Sequence, residues 1–163
     1  INLLESYNVH STSELKPTTM TVMARRGMIT QIIENLDKKI NTLSEQIELV
    51  RQLQRSKPYH DKYKSLSAWK QKEYAKKNAP VLEKYKSVGS QLKLLYPDGR
   101  FPSEMVLDRQ RQALYEEREK LYEEYRYLKK EYADLDKASQ MIDDYLESLR
   151  DEPEQKRKKG ELE

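Results

Sequence analysis

Apolar residues recur at alternating intervals of three and four along much of the first third of the chain, and this spacing constrains the fold more than any other feature. The residues are Val22, Ile29, Ile33, Leu36, Ile40, Leu43, Ile47 and Val50. Such a pattern places one narrow apolar stripe along a helix, as the a and d positions do in a coiled coil. It predicts a first long helix over residues 17–56, with Pro17 in its first turn and Pro58 ending it.

A second stripe occupies the last third and predicts a partner helix over residues 103–150, for which Ser103 is the N-cap. Its a and d residues are Leu107, Leu114, Leu121, Tyr125, Leu128, Tyr132, Leu135, Ile142, Leu146 and Leu149, with interruptions at Arg111, Arg118 and Ser139. A helix with one apolar stripe is stable only if that stripe is covered. We therefore expect the two helices to pack antiparallel, with residues 36–43 opposite residues 114–125.

Residues 57–102, between the two long helices, are predicted to form two or three shorter helices. Ser67 is an N-cap candidate, Asn78 a helix end, and Pro80 a new helix start. Their apolar residues are expected to form a small core of their own, made of Trp69, Tyr74, Leu82, Tyr85, Val88, Leu92 and Leu95.

The predicted fold is therefore all-α: a long antiparallel coiled-coil hairpin with a small, basic helical subdomain at its tip. Residues 1–16 are expected to form a short helix and turn that lead into the hairpin, and residues 151–163 a charged tail. Charged residues make up 36% of the chain and apolar residues another 36%. A low apolar content of this kind is typical of helices that bury only one stripe.

The composition gives no indication of catalytic or cofactor chemistry. The chain has no Cys, and its two His, His10 and His60, are 50 positions apart. We therefore predict no catalytic residue, no metal site and no cofactor. No apolar run approaches the roughly 18–20 residues of a membrane span, which predicts no membrane insertion and a cytoplasmic location. Because the sequence begins with Ile1, we interpret it as a piece of a longer protein.

Five tyrosines lie in the stretch LYEEREKLYEEYRYLKKEYADLD, residues 114–136. The heptad places Tyr125 and Tyr132 in the apolar stripe, Tyr115 and Tyr122 beside it, and Tyr127 on the outer face. A nucleophilic tyrosine needs a neighbouring base or metal to lower its pKa from about 10. The stretch contains no His, so we interpret these tyrosines as packing residues.

The middle of the chain is strongly basic, since residues 51–100 contain 13 Lys and Arg against four Asp and Glu. The candidate DNA-binding residues are Arg55, Lys57, Lys62, Lys64, Lys70, Lys72, Lys76, Lys77, Lys84, Lys86, Lys93 and Arg100. Tyr59, Tyr63, Trp69, Tyr74 and Tyr85 are interleaved with them. Lysines contact phosphates and aromatic faces stack on unpaired bases. The alternative is a solvated lysine surface around a small core.

The order of these segments resembles the helical region that follows the nuclease domain in relaxase and mobilisation proteins of conjugative plasmids and integrative elements. The resemblance rests on INLLESYNVHSTSELK, YHDKYKSL, YAKKNAPVLEKYKSVGSQLKLLYPDGRFPSEM and YEEREKLYEEYRYLKKEYADLDK, and it covers residues 1 to about 150. Relaxases nick DNA with a catalytic tyrosine and a histidine-bound metal. The resemblance implies that chemistry for the parent protein only, because no segment here matches those motifs.

The resemblance implies two classes of partner, which are DNA at a transfer origin and proteins of the transfer machinery. The expected function is thus a non-catalytic helical region of a conjugative relaxase. The alternative is a purely structural or dimerising coiled coil without a nucleic-acid role, in which exposed e and g positions form a homodimer.

Overall fold

The computed structural model describes the backbone of residues 12–160 and the side chains of residues 17–151. Within these ranges the chain contains three helices and no strand, which confirms the predicted all-α class. The helices are α1 (Thr12–Ser65), α2 (Ala68–Leu95) and α3 (Glu104–Gly160). Of the predicted lead-in, residues 1–11 lie outside the described residues, whereas residues 12–16 already belong to α1.

The sequence predicted that the first helix ends before Pro58, but the helix continues to Ser65. A proline inside a helix removes one backbone donor and crowds the preceding turn. The residues on both sides of Pro58 make contacts within the fold. Ser56 is buried and its hydroxyl donates to the Gln52 carbonyl at 2.7 Å. The His60 ring stacks on Tyr85 of α2 with the ring centroids 4.0 Å apart.

The second helix starts directly after Ser67, as predicted, and is kinked where the sequence predicted a break. Asn78 has φ −122° and ψ 24°, outside the helical region, and Pro80 follows it within the helix. Proline is the commonest cause of such a kink. The Asn78 side chain donates to the Tyr74 carbonyl at 3.1 Å, which satisfies a carbonyl next to the kink. One bent helix therefore replaces the two short ones.

The third helix begins at the predicted cap. The Ser103 hydroxyl accepts a hydrogen bond from the Val106 amide at 3.3 Å. In the preceding turn the Gly99 amide donates to the Tyr96 carbonyl at 2.9 Å, and Gly99 has φ +75°, a conformation that favours glycine. The helix extends to Gly160 rather than ending at residue 150, and it includes Pro153. The residues that follow this proline are mostly Glu, Gln, Lys and Arg, which are good helix formers.

The chain divides into two compact units, and the first combines parts of Ile1–Glu34 and Glu119–Glu163. Its buried residues are Val22, Ile29 and Ile33 of α1 with Leu128 and Leu135 of α3. Half-buried residues of α3 pack against them, namely Leu121, Tyr122, Tyr125, Tyr132 and Ile142. In this unit the predicted stripes of α1 and α3 meet.

The second unit is Asn35–Arg118, in which all three helices contribute to one core. Its buried residues are Ile47 and Val50 of α1, Val88 and Leu92 of α2, and Leu107 of α3. Residues 57–102 therefore belong to the same compact unit as the segments that flank them. The Tyr96 hydroxyl, just after α2, donates to the Gln46 side chain of α1 at 2.8 Å.

Three polar contacts between α1 and α3 in the second unit are spaced by one heptad on each helix. Arg118 Nη1 donates to Asp37 Oδ1 at 2.7 Å, Arg111 Nη1 donates to Ser44 Oγ at 3.1 Å, and Arg51 Nε donates to Glu104 Oε1. The α1 partners ascend in number as the α3 partners descend, so these segments run antiparallel. The two arginines that interrupt the apolar stripe of α3 thus find partners in α1.

The predicted small core of residues 57–102 is only partly correct. Leu82, Val88 and Leu92 are buried, but Trp69 is 68% exposed and Leu95 is 48% exposed. The side chains of α2 that are buried face α1 and α3. Trp69 and Leu95 lie at opposite ends of α2, where it meets its connecting turns.

Candidate nucleic-acid interface

The twelve cations proposed from the sequence lie on two neighbouring helix segments and the turn that follows. Four belong to the end of α1, seven to α2 and one, Arg100, to the turn before α3. All twelve are exposed. We call residues 55–100 the basic stretch, which contains twelve Lys and Arg and four Asp and Glu, a net charge of +8.

None of these twelve cations forms an ion pair with an acidic side chain of the described residues. The ion pairs there all use arginines outside the candidate set, in the pairs Arg25–Glu124, Arg51–Glu104, Arg111–Asp108, Arg118–Asp37 and Arg126–Glu119. Glu124 and Glu104 raise the pKa of Arg25 and Arg51 through a hydrogen bond and charge attraction. The positive charge of the basic stretch is therefore not neutralised by ion pairs within the described residues.

One groove between α1 and α2 brings two of the cations together with an aromatic ring. Arg55 and Tyr59 of α1 line it on one side, Lys84 of α2 lines it on the other, and its volume is ≈ 500 Å³. Tyr59 is 41% exposed, so its ring is accessible from the groove. Glu48 also lines the groove and reduces its positive charge.

A smaller groove of ≈ 200 Å³ is lined by His60 and Tyr63 of α1 and by Lys86 of α2. His60 is one of the two histidines of the chain. The structure shows it half-buried and stacked on Tyr85, a contact that no sequence periodicity signals because the two residues are on different helices. One face of the His60 ring is thereby occupied within the protein.

The connection between α1 and α2 gathers the densest group of cations. Lys62 Nζ lies 5.6 Å from the centroid of the Tyr74 ring, which holds this ammonium against α2. Lys64 precedes the turn, and Lys70 and Lys72 follow it on α2. Lys93 lies apart from this group, beside a third groove of ≈ 470 Å³ that it lines with Ser90, Leu94 and Pro97.

Three tyrosines of α3, Tyr115, Tyr125 and Tyr132, lie against arginines. Arg26 lies over the rings of Tyr125 and Tyr132 at 5.4 and 5.5 Å, and Tyr115 has Arg118 at 5.0 Å. Tyr127 is 63% exposed, and the Glu131 carboxylate raises the pKa of its hydroxyl through a hydrogen bond and charge repulsion of the phenolate. A raised pKa is the reverse of nucleophile activation.

Among residues 17–151 no three His, Cys, Asp or Glu side chains come together as metal ligands would. No described helix combines the length and the apolar character that crossing a bilayer requires.

Comparison with known proteins identifies no family for this chain. No family model matches it. The search of curated proteins gives no match. No solved structure matches it either.

Proposed function

We propose that this chain is a non-catalytic helical module that binds nucleic acid through the basic stretch, chiefly by contacts to phosphates. The observation that carries the proposal is the set of twelve exposed cations on the end of α1, on α2 and in the following turn, with no ion pair to a described acidic side chain. A polyanion that neutralises these charges releases counterions, which supplies affinity without reading sequence.

The resemblance to conjugative relaxases implies a biological role for this module. In that role the module extends a DNA-nicking enzyme whose active site lies in another part of the parent protein. Its targets are DNA at the transfer origin or proteins of the transfer machinery, and it acts in the cytoplasm. The positive charge of the chain supports this role, because lysine and arginine are sufficient for phosphate contacts and no catalytic group is needed.

The direct test is duplex DNA binding measured over a series of salt concentrations. Reversing the charge of four α2 lysines (Lys70, Lys72, Lys76 and Lys77, each to Glu) should weaken binding strongly. If each lysine contacts one phosphate, the slope of log affinity against log salt should flatten by about 3 to 4. The matched control reverses four exposed lysines of α3 (Lys120, Lys129, Lys130 and Lys137) and should retain most of the affinity. Absence of binding by the unmodified chain at low salt would refute the proposal.

We also propose that α1 and α3 form the antiparallel coiled-coil hairpin expected from the sequence, with the basic stretch at one end. The buried stripes and the heptad-spaced polar contacts support it. Since the chain has no Cys, introduced pairs of cysteines can test whether α1 and α3 pack against each other without interference from native thiols. In the pairs Arg25→Cys with Glu124→Cys and Ser44→Cys with Arg111→Cys, a short bismaleimide should crosslink the two cysteines within one chain, because it spans the gap left by the arginine side chain. Crosslinks only between chains would contradict the hairpin.

The second candidate function is self-association without nucleic acid. Large apolar side chains are exposed on the helices of the first unit, among them Met20, Met23, Met28, Met141, Leu146 and Leu149. Exposed apolar surface of this kind favours contact between copies. Sedimentation equilibrium distinguishes the candidates: a stable dimer whose affinity is lowered by Met23→Lys or Leu146→Lys favours this function, and a monomer argues against it.

A further inference from the structure

Trp69, the only tryptophan of the chain, is 68% exposed, although the sequence placed it in a core. Tryptophan is usually well buried, because its large ring gains more from leaving water than almost any other side chain. A tryptophan left in water at the start of a helix therefore calls for a binding partner that covers it.

The turn that presents Trp69 is fixed by hydrogen bonds on both sides. The Leu66 amide donates to the Tyr63 carbonyl at 3.2 Å, and the Gln71 amide donates to the Ser67 carbonyl at 2.8 Å. The Gln71 side chain crosses from α2 to α1 and donates to the same Tyr63 carbonyl at 3.0 Å. Trp69 is thus displayed from an ordered support, which limits the entropy cost of stacking a ligand on it.

The surroundings of Trp69 are strongly basic. Residues 62–77 contain six Lys and one Glu, a net charge of +5. Lys64, Lys70 and Lys72 are exposed within five residues of Trp69, and Lys62 lies over Tyr74 at 5.6 Å. An accessible ring among ammonium groups is the combination that binds single-stranded nucleic acids, in which a base stacks on the ring while neighbouring phosphates contact lysines.

We propose that Trp69 is a stacking platform for an unpaired base, so that the α1–α2 connection prefers single-stranded nucleic acid to duplex. This inference rests on the proposed function, since it names the ligand class of the same basic stretch. Inside a duplex both faces of a base are covered by its neighbours, and only the phosphates are open to the lysines. Stacking on Trp69 therefore adds affinity for the single strand alone.

An anionic membrane surface is the other ligand that attracts tryptophan and lysine together, but the local structure favours it less. Insertion needs a continuous apolar helix face. Around the connection, Leu66 is half-buried and α2 presents lysines at Lys70, Lys72, Lys76 and Lys77. Trp69 is the one large exposed apolar side chain of residues 60–93.

Intrinsic fluorescence is a specific probe, because tryptophan emission of this chain comes from Trp69 only. Titration with an oligothymidylate of about 16 nucleotides should quench the emission, since a stacked base depopulates the excited ring. A duplex of the same length should bind with little quenching. Vesicles of phosphatidylserine and phosphatidylcholine should leave the spectrum unchanged. A blue shift with vesicles and no quenching with oligothymidylate would overturn the proposal in favour of a membrane.

Affinity measurements with labelled oligonucleotides separate this inference from the proposed function. Trp69→Ala should weaken oligothymidylate binding about tenfold and leave duplex binding unchanged, and Trp69→Phe should restore part of the loss. Tyr127→Ala, which removes an equally exposed ring from α3, is the matched control and should change neither. If unmodified chain binds both ligands but Trp69→Ala is without effect, this inference fails and the proposed function stands. If the unmodified chain binds neither ligand, both fail.

Discussion

Tyr125 and Tyr132 of α3 and Trp69 of the basic stretch lie in opposite environments. In α3, Arg26 covers Tyr125 and Tyr132, and the cations beside these rings are arginines. In the basic stretch, Trp69 is open to solvent and its neighbours are lysines. Arginine is weakly hydrated and planar, so it packs on rings and carboxylates within the protein, whereas lysine keeps its water. The cation–aromatic contacts of Tyr125 and Tyr132 are therefore internal to the protein, whereas the Trp69 ring remains accessible from solvent.

The largest expected effect distinguishes the two regions by stability. Leu135→Ala empties a fully buried site and should lower the free energy of unfolding by about 2–5 kcal/mol. Trp69→Ala should change it by less than about 0.5 kcal/mol, because the ring is mostly in water. Chemical denaturation followed by circular dichroism measures both. A comparable loss for the two variants would remove the distinction between the regions.

A smaller effect is expected for the arginine contacts between helices. A double-mutant cycle with Asp37→Ala and Arg118→Ala should give a coupling energy of about 0.5–1 kcal/mol, since the side chains are 41% and 30% exposed and solvent screens the pair. Arg126 and Glu119 are 64% and 65% exposed and form the matched control. Their coupling should be close to zero. If the two pairs had equal coupling energies, partial burial would not strengthen the contact between Asp37 and Arg118.

The lysines of α2 should contribute almost nothing to stability. Replacing Lys70, Lys72, Lys76 and Lys77 by Ala should change the free energy of unfolding by less than about 0.5 kcal/mol. At low salt the variant should be slightly more stable, because alanine favours helix and the repulsion between Lys72 and Lys76, four residues apart, is removed. Thermal melts at two salt concentrations test this. A clear loss of stability would assign these lysines a structural role.

The smallest effect concerns the outer face of α3. The Glu131 carboxylate raises the pKa of Tyr127, because it accepts a hydrogen bond from the hydroxyl and repels the phenolate. Tyr127 should therefore lose its proton at a higher pH than an ordinary tyrosine, and Glu131→Gln should lower that midpoint. Titration of a ring carbon resonance by NMR follows this single group. Glu147→Gln, a similar change elsewhere on α3, should leave the Tyr127 midpoint where it was.

Local sequence signals predicted the parts of the fold that depend on local chemistry. The cap at Ser103 and the kink at Asn78 follow from side-chain oxygens and from proline, and both lie where the sequence predicted a boundary. The apolar stripe of α1 is also buried as its spacing predicted, apart from Leu43, which is half-buried. Each of these features can be inferred from a window of a few turns.

The errors concern features that depend on distant residues. Pro58 was expected to end α1, but α1 continues to Ser65, and beyond the proline His60 stacks on Tyr85, a residue 25 positions away. Trp69 was expected in a core because an apolar residue in a helix usually finds a partner, yet at the first turn of α2 no described helix covers it. At the candidate site, the positive charge could be predicted from the sequence, whereas the exposure of the Trp69 ring could be seen only in the folded structure.

The heptad-spaced contacts of the second unit also bear on how α1 and α3 are aligned. Along α1 the partners are Asp37, Ser44 and Arg51, and along α3 they are Arg118, Arg111 and Glu104. An apolar heptad alone would tolerate a slip of seven residues in either direction. A slip in one direction brings Arg111 opposite Arg51, and a slip in the other leaves Arg51 without Glu104. The order of charges thus favours the observed alignment over these two slipped ones.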